Sequence, residues 1–281
     1  MVTSYISPKY PELPPGSIKA IYSAVEVRLL HLDLGSSDSV RKAAQEVTTY
    51  PEDINVLVNY AAVMAVPYAL TEDGFETHLQ TNLSPLLFNN LIIEKILINR
   101  SSGPISSLPR VVNVTSEDYR IREVRYFDHN LHDGASYDTR SAYGASKTMT
   151  LLHASELARC LGDKDLVEIS LNSGVIITNL SHHVGAMYMF ADLWALHRKL
   201  GNSIGWSTPQ PLNPNHGVAN NAYAALAPIF KALISVKPSD SSSGYILSLE
   251  KLPESVENMV SRAAGELEGN KCWELSEKLL G

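Results

Sequence analysis

At 281 residues, 44% of them hydrophobic, the chain is long enough for one large α/β domain with a full core. A net charge of −7 gives no basic footprint and argues against nucleic acid as a partner. Two cysteines, Cys160 and Cys272, make neither a disulfide framework nor a metal site and suit a reducing compartment; no apolar run reaches the length of a membrane span, and residues 1–20 lack a signal peptide's basic start and apolar stretch, so the expected address is cytoplasmic.

Residues 1–24 carry Pro8, Pro11, Pro14, Pro15 and Gly16 among tyrosines and read as an irregular, proline-rich segment. They contain no strand followed by a glycine-rich turn and a helix, the usual opening of a dinucleotide-binding fold. The first predicted strand is Val25 to Leu32, followed by Asp33 and a predicted helix from Ser37 to Val47. A second strand, Ile54 to Asn59, is apolar on both faces, as a central parallel strand should be. Helical spacing then runs from about Glu72 to Ile98, with a kink expected near Asn82 because Pro85 cannot donate to the carbonyl of Thr81. A serine- and proline-rich loop leads to the strand Pro109 to Ser116, which ends on hydroxyls.

Between Ser116 and the next helix, Tyr119, Tyr126, Phe127 and Tyr137 are expected to form the rim of a substrate pocket. His129 and His132 lack neighbouring thiolates or a third ligand, so they read as solvated and no metal site is assigned. The helix opened by Ser141 places Tyr143 and Lys147 on one face, where a phenol and an ammonium can share a pocket. Val167 to Leu171 alternates as a strand, and Asn172-Ser173-Gly174 with Ile176 and Thr178 follows. Residues 182–206, with His182, His183, Met187 and Trp194, read either as a cover over a hydrophobic ligand or as helix core. Gly217 to Leu226 reads as a packed helix, Gly244 to Leu249 as the last strand, and Cys272 to Leu279 as a closing helix.

A strand ending at Ser116, a loop, and a helix bearing Tyr143-x-x-x-Lys147 resemble the short-chain dehydrogenase/reductase family, and the resemblance runs from about residue 25 to the C-terminus. It implies a Rossmann-like, doubly wound, mostly parallel sheet whose first strand-helix unit is missing or replaced, with residues 25–281 as one truncated dehydrogenase domain. By resemblance Ser116 holds the substrate oxygen, Tyr143 exchanges a proton with it, and Lys147 lowers the tyrosine pKa while binding the nicotinamide ribose. Asn82 matches the asparagine whose carbonyl holds a water linking that lysine to solvent. Asp33 matches the aspartate that contacts adenine. Asn59, Ile176 and Thr178 match the remaining cofactor contacts. The chain departs from the family pattern where Tyr60, Ala62 and Ser173 stand for Asn, Gly and Pro. The closing helix is similar to that of the branch containing retinol dehydrogenases and WW-domain oxidoreductases.

Half-ionisation of a tyrosine at neutral pH needs about 4 kcal/mol of differential stabilisation, more than one lysine supplies. A cofactor's cationic ring, a low dielectric and a hydroxyl partner must add the rest. The resemblance implies NADP, with NAD left open, and a small apolar alcohol or ketone as substrate in a specialised metabolic pathway; a homo-oligomer also stays open. The absent glycine turn keeps a second reading open, a catalytically inactive family remnant or a non-catalytic binding protein. It also leaves the strand at Ile54 to Asn59 without a neighbour, a gap that either Val25 to Leu32 or Ile18 to Ser23 would have to fill.

Overall fold

The computed structural model describes residues 26–98, 108–120, 124–161, 166–174 and 266–280, the backbone of Val2–Ile6 and Ile246–Ser248, and positions 176, 194, 198, 215, 221–222 and 224–226. Two sheets are present among these residues. In the first, β1 (Val2–Ile6) pairs in parallel with β2 (Val27–His31). In the second, β3 (Val56–Asn59), β4 (Arg110–Val114) and β5 (Val167–Leu171) run parallel, and β6 (Ile246–Ser248) closes the far edge antiparallel to β5. The four-stranded order is β3-β4-β5-β6, which leaves β3 at an edge.

Two expectations change here. Val2–Ile6, assigned to the irregular segment, is a strand, because extended backbone alongside β2 satisfies main-chain groups that β2 would otherwise present unpaired. β2 itself does not move beside β3; its hydrogen bonds go to β1, and among the described residues no ladder joins the two sheets. Ile18 to Ser23, Thr178, most of 182–206 and half of 217–226 lie outside the described residues.

Helix α1 (Ser37–Thr48) starts where the sequence placed it, because Ser36 caps it by accepting from the Ser39 amide at 3.3 Å. Its buried residues Val40, Ala43, Ala44 and Val47 follow the i, i+3, i+4, i+7 spacing of one apolar stripe. Helix α2 (Thr77–Ile98) begins later than the apolar spacing suggested. Thr71 to Phe75 is a turn closed by backbone bonds, and Glu76 then caps the helix by accepting from the amides of His78 and Leu79. Pro85 sits inside α2, which continues through it to Ile98.

Helix α3 (Thr139–Leu161) packs between α2 and α4 (Glu266–Leu280). All four helices lie on one side of the larger sheet, in a core that includes Leu83, Ile92, Val111, Met149, Leu152 and Cys272. The other side holds a smaller cluster of Val112, Ile169, Leu171 and Ala224. No described helix is long and apolar enough to cross a membrane.

The α3–α4 contact contains a stacked pair, His153 on Trp273, with ring centroids 4.8 Å apart and planes 8° from parallel. His153 is buried, neither ring nitrogen has a hydrogen-bond partner, and burial lowers its pKa from 6.5 to about 3. A depressed base favours the folded state fully above pH 6.5, and that contribution is lost as pH falls through about 3. Replacing His153 with Phe keeps the stack and removes the proton. Denaturant melts from pH 7 to pH 3 are expected to show the variant losing less stability than the parent, by a slope of about one proton per molecule; parallel pH profiles would refute the assignment.

Candidate active site

The site is built where the C-terminal end of β4 meets α3. The Lys147 ammonium donates to the Val114 carbonyl at 2.9 Å, and the Thr115 hydroxyl donates to the Lys147 carbonyl at 3.1 Å. One turn further, the Thr148 hydroxyl donates to the Tyr119 carbonyl at 2.9 Å, fastening the short 3-10 helix Glu117–Arg120 to the same face. These bonds fix the rotation of α3 about its axis. As a result Tyr143, four residues before Lys147, is near enough to the Ser116 side chain for that group to act on the phenol's pKa. Ser116 stands just beyond β4, where its Oγ also accepts from the Asp118 amide at 3.3 Å. Strand, turn and helix therefore bring together the serine, tyrosine and lysine that the sequence singled out.

Tyr143 and Lys147 are each 4% exposed, and the ammonium lies 5.8 Å from the phenol ring centroid. Burial drives Tyr143 well above its ordinary value and repulsion from Asp118 adds to that, while the Ser116 side chain and the Arg140 cation oppose it. The Lys147 ammonium donates to the Val114 carbonyl, and its burial lowers its own pKa from 10.5 to about 8.

Asn82 is buried on α2 and works as a clamp. Its Oδ1 accepts from the Val63 amide at 3.0 Å, and its Nδ2 donates to the Val63 carbonyl at 3.2 Å and to Ser146 Oγ at 2.8 Å. Ser146 in turn donates to the Tyr143 carbonyl at 2.7 Å, so one chain of bonds runs from the loop after β3 to the catalytic turn of α3. The Asn82 carbonyl, matched by resemblance to a water holder, lies 3.5 Å from the Thr150 hydroxyl. Asn59 donates to Asn89 Oδ1 at 2.9 Å and to Asn113 Oδ1 at 2.7 Å, which turns its amide into the sheet–helix interface. Asp33 caps the turn before α1, accepting from the Gly35 amide at 2.8 Å. Ile176 is half-buried, and Gly174 adopts φ 84° in a turn where its amide donates to Asn172 Oδ1.

Several groups around Tyr143 were missed by sequence reasoning. The His78 ring meets the Tyr143 ring edge-on, with centroids 6.2 Å apart. His78 Nδ1 lies 2.8 Å from Glu76, and its Nε2 accepts from the Val66 amide at 3.3 Å. Asp118 and Arg140 form an ion pair at 3.5 Å on the other side. A histidine on an apolar helix gives no signal that it will face a tyrosine 65 positions later; only packing decides that. Of the expected pocket rim, Tyr137 reaches His78, but Tyr126 donates to the Glu268 carbonyl on α4 and Phe127 is fully exposed. His132 is exposed, with Nδ1 3.1 Å from Ser136 Oγ, and the His129 ring tilts against Phe75. A cavity of about 120 Å³ lies on the opposite side of α3, lined by Leu79, Leu131, Ala145, Ser146, Met149 and Leu275; Tyr143, Lys147 and Ser116 do not line it.

Comparison with known proteins finds dehydrogenases among the relatives of this chain. The chain is 31% identical over 251 residues to retinol dehydrogenase 14 of Mus musculus, a match covering 89% of this chain and 66% of that protein. It is 34% identical over 222 residues to the chloroplastic short-chain dehydrogenase TIC 32 B of Brassica napus, covering 77% and 64%. A solved short-chain dehydrogenase from Burkholderia cenocepacia J2315, in complex with NADP, aligns with a TM-score of 0.52 at 18% identity, over 76% of this chain and 74% of that one. No family model matches the chain. The chain belongs to the short-chain dehydrogenase/reductase family. It spans about two thirds of the length of these curated relatives.

Two outcomes test the geometry. Asn82→Ala leaves the Val63 amide and carbonyl without their partner and is expected to destabilise the chain by about 1–3 kcal/mol in denaturant melts; a loss near zero would mean the clamp is absent in solution. Lys147 is a base whose folded pKa is lowered, so its contribution is full above pH 10.5 and lost as pH falls through about 8. Stability of the parent relative to Lys147→Met should therefore rise between pH 8 and 10.5, as followed by thermal melts.

Proposed function

We propose that this chain is an oxidoreductase that transfers hydride between NADP(H) and a small, largely apolar alcohol or ketone, with Tyr143 as the proton-exchanging group. The observation that carries the reading is that Tyr143 is buried close to the Ser116 side chain, with the Lys147 ammonium one helical turn away. In the reducing direction, a substrate oxygen is held between the two hydroxyls. Ser116 orients the oxygen and Tyr143 gives up its proton as the carbonyl becomes an alcohol.

The donor set supports a nicotinamide riboside at this end. Lys147 uses one of its N–H groups on Val114, leaving two for ribose hydroxyls. NADP(H), when bound, supplies the hydride and, once oxidised, a positive ring that adds to the lysine's charge. Asp33, Asn59, Ile176 and Thr178 are the further cofactor contacts we assign by resemblance, and Asn82 is the positioning residue behind Tyr143. Choice of NADP over NAD follows the bound cofactor of the Burkholderia enzyme. A cytoplasmic address, a homo-oligomeric state and a place in specialised metabolism complete the reading.

A second reading has its own support. Gly16 is the sole glycine before Gly35, so the opening residues contain no glycine-rich turn for a pyrophosphate. On that reading the chain is a non-catalytic binding protein of the same family. Titration with NADPH and a panel of ketones separates the two. The oxidoreductase reading expects saturable cofactor binding and a turnover that Tyr143→Phe lowers about 10²–10⁴-fold with cofactor affinity kept. Absence of binding up to about millimolar NADPH would favour the second.

A further inference from the structure

The cation beside Tyr143 is only partly matched. Arg140 stands three residues before Tyr143 on α3, so the two side chains are neighbours on one helical face. Its Nη1 reaches Asp118 Oδ2 at 3.5 Å, which is longer than the roughly 2.7–2.9 Å of a formed bond between a guanidinium and a carboxylate. The Arg140 side chain is 18% exposed, and its Nε is buried with no hydrogen-bond partner among the described residues. Asp118 in turn sits against Ser116, whose Oγ accepts from the Asp118 amide at 3.3 Å. Both members of the pair act on the phenol, Asp118 raising its pKa and Arg140 lowering it. The guanidinium therefore stands in the same site as the Ser116 and Tyr143 hydroxyls.

A buried donor on a cation with no acceptor costs about 1–3 kcal/mol or more, and Asp118 at that distance offsets part of the charge without meeting the Nε hydrogen. Arginine presents its N–H groups as a planar fork that matches the two oxygens of a carboxylate. We propose that Arg140 is the carboxylate-recognition residue of this site, and that the substrate is a largely apolar oxo or hydroxy acid whose carboxylate accepts from Arg140 Nε while its oxo or hydroxyl oxygen lies between Ser116 and Tyr143. Three observations select a carboxylate. The unfilled donor belongs to a cation, which bonds an anionic acceptor about twice as strongly as a neutral one. The donor is buried, where attraction between opposite charges is weakened least by water. Its place one helical turn before Tyr143 is within reach of a second group on the same small molecule. The carboxylate undergoes no bond change and serves to orient the molecule. The chemistry at the oxo group rests on the oxidoreductase reading; the carboxylate site does not.

The probes are benzoylformate, with its carboxylate directly on the ketone carbon, and 3-benzoylpropionate, with a longer spacing, each compared with its uncharged methyl ester. Isothermal titration calorimetry on the full chain is expected to show at least one acid binding about tenfold or more tighter than its ester. Arg140→Gln should abolish that preference, and Arg140→Lys, which keeps the charge without the fork, should retain part of it. Asp118→Asn removes the competing carboxylate and should increase the preference about threefold or more, a gain that misfolding cannot imitate. Equal affinity for acid and ester, no binding of either acid up to about 10 mM, a preference that survives Arg140→Gln, or one that Asp118→Asn weakens would overturn the proposal. With NADPH added, an acid preference without turnover keeps the Arg140 site and removes the oxidoreductase reading. Turnover of acid and ester with equal KM does the reverse.

Discussion

The constraint on which the site depends is the fastening of α3 to the end of β4. Two bonds, Lys147 to Val114 and Thr115 to Lys147, cross between strand and helix in opposite directions. A helix held by one contact can still turn about its axis; held by two, with Thr148 on Tyr119 as a third, it cannot. Tyr143 is set over Ser116 by that locking. The side chain given a chemical role in the proposed function, Lys147, is also one that holds the scaffold, through its bond to the Val114 carbonyl.

Behind the site, polar residues sit where a purely apolar interface would be simpler. Asn59, Asn89 and Asn113 form a line across β3, α2 and β4, and Asn113 extends it to Glu168 on β5. Burial raises the pKa of the Glu168 carboxyl, and the bond it accepts from Asn113 opposes that shift. Directional bonds of this kind fix the register of three strand ends that must present Asn59 and Ser116 together, whereas apolar packing alone would tolerate small slips.

The sheet shows the cost of an interior strand with one neighbour. Among the described residues β3 pairs with β4 alone and its Val58 is exposed, while β2 pairs with β1. The contacts that hold Tyr143 and Lys147 are made by β4, α2 and α3.

Much of the architecture was legible in the sequence, for local reasons. Val167 to Leu171 alternates and is a strand end to end; the serines before Asp38 cap α1; the four-residue spacing of Tyr143 and Lys147 could only put them on one helical face. Val2–Ile6 was not legible, because a strand with a weak pattern exists only through its partner, and the start of α2 moved because Glu76 captures the amides that a longer helix would have used. His78, Asp118 and Arg140 joined the site from elements that carry no motif. The sequence by itself determined which residues can share a face and what chemistry they can perform, since periodicity and side-chain type are local properties. Only the tertiary structure decided where the Lys147 ammonium points, what the Tyr143 proton costs to remove and which strand was left with an open side, because each depends on burial and on neighbours distant in the chain.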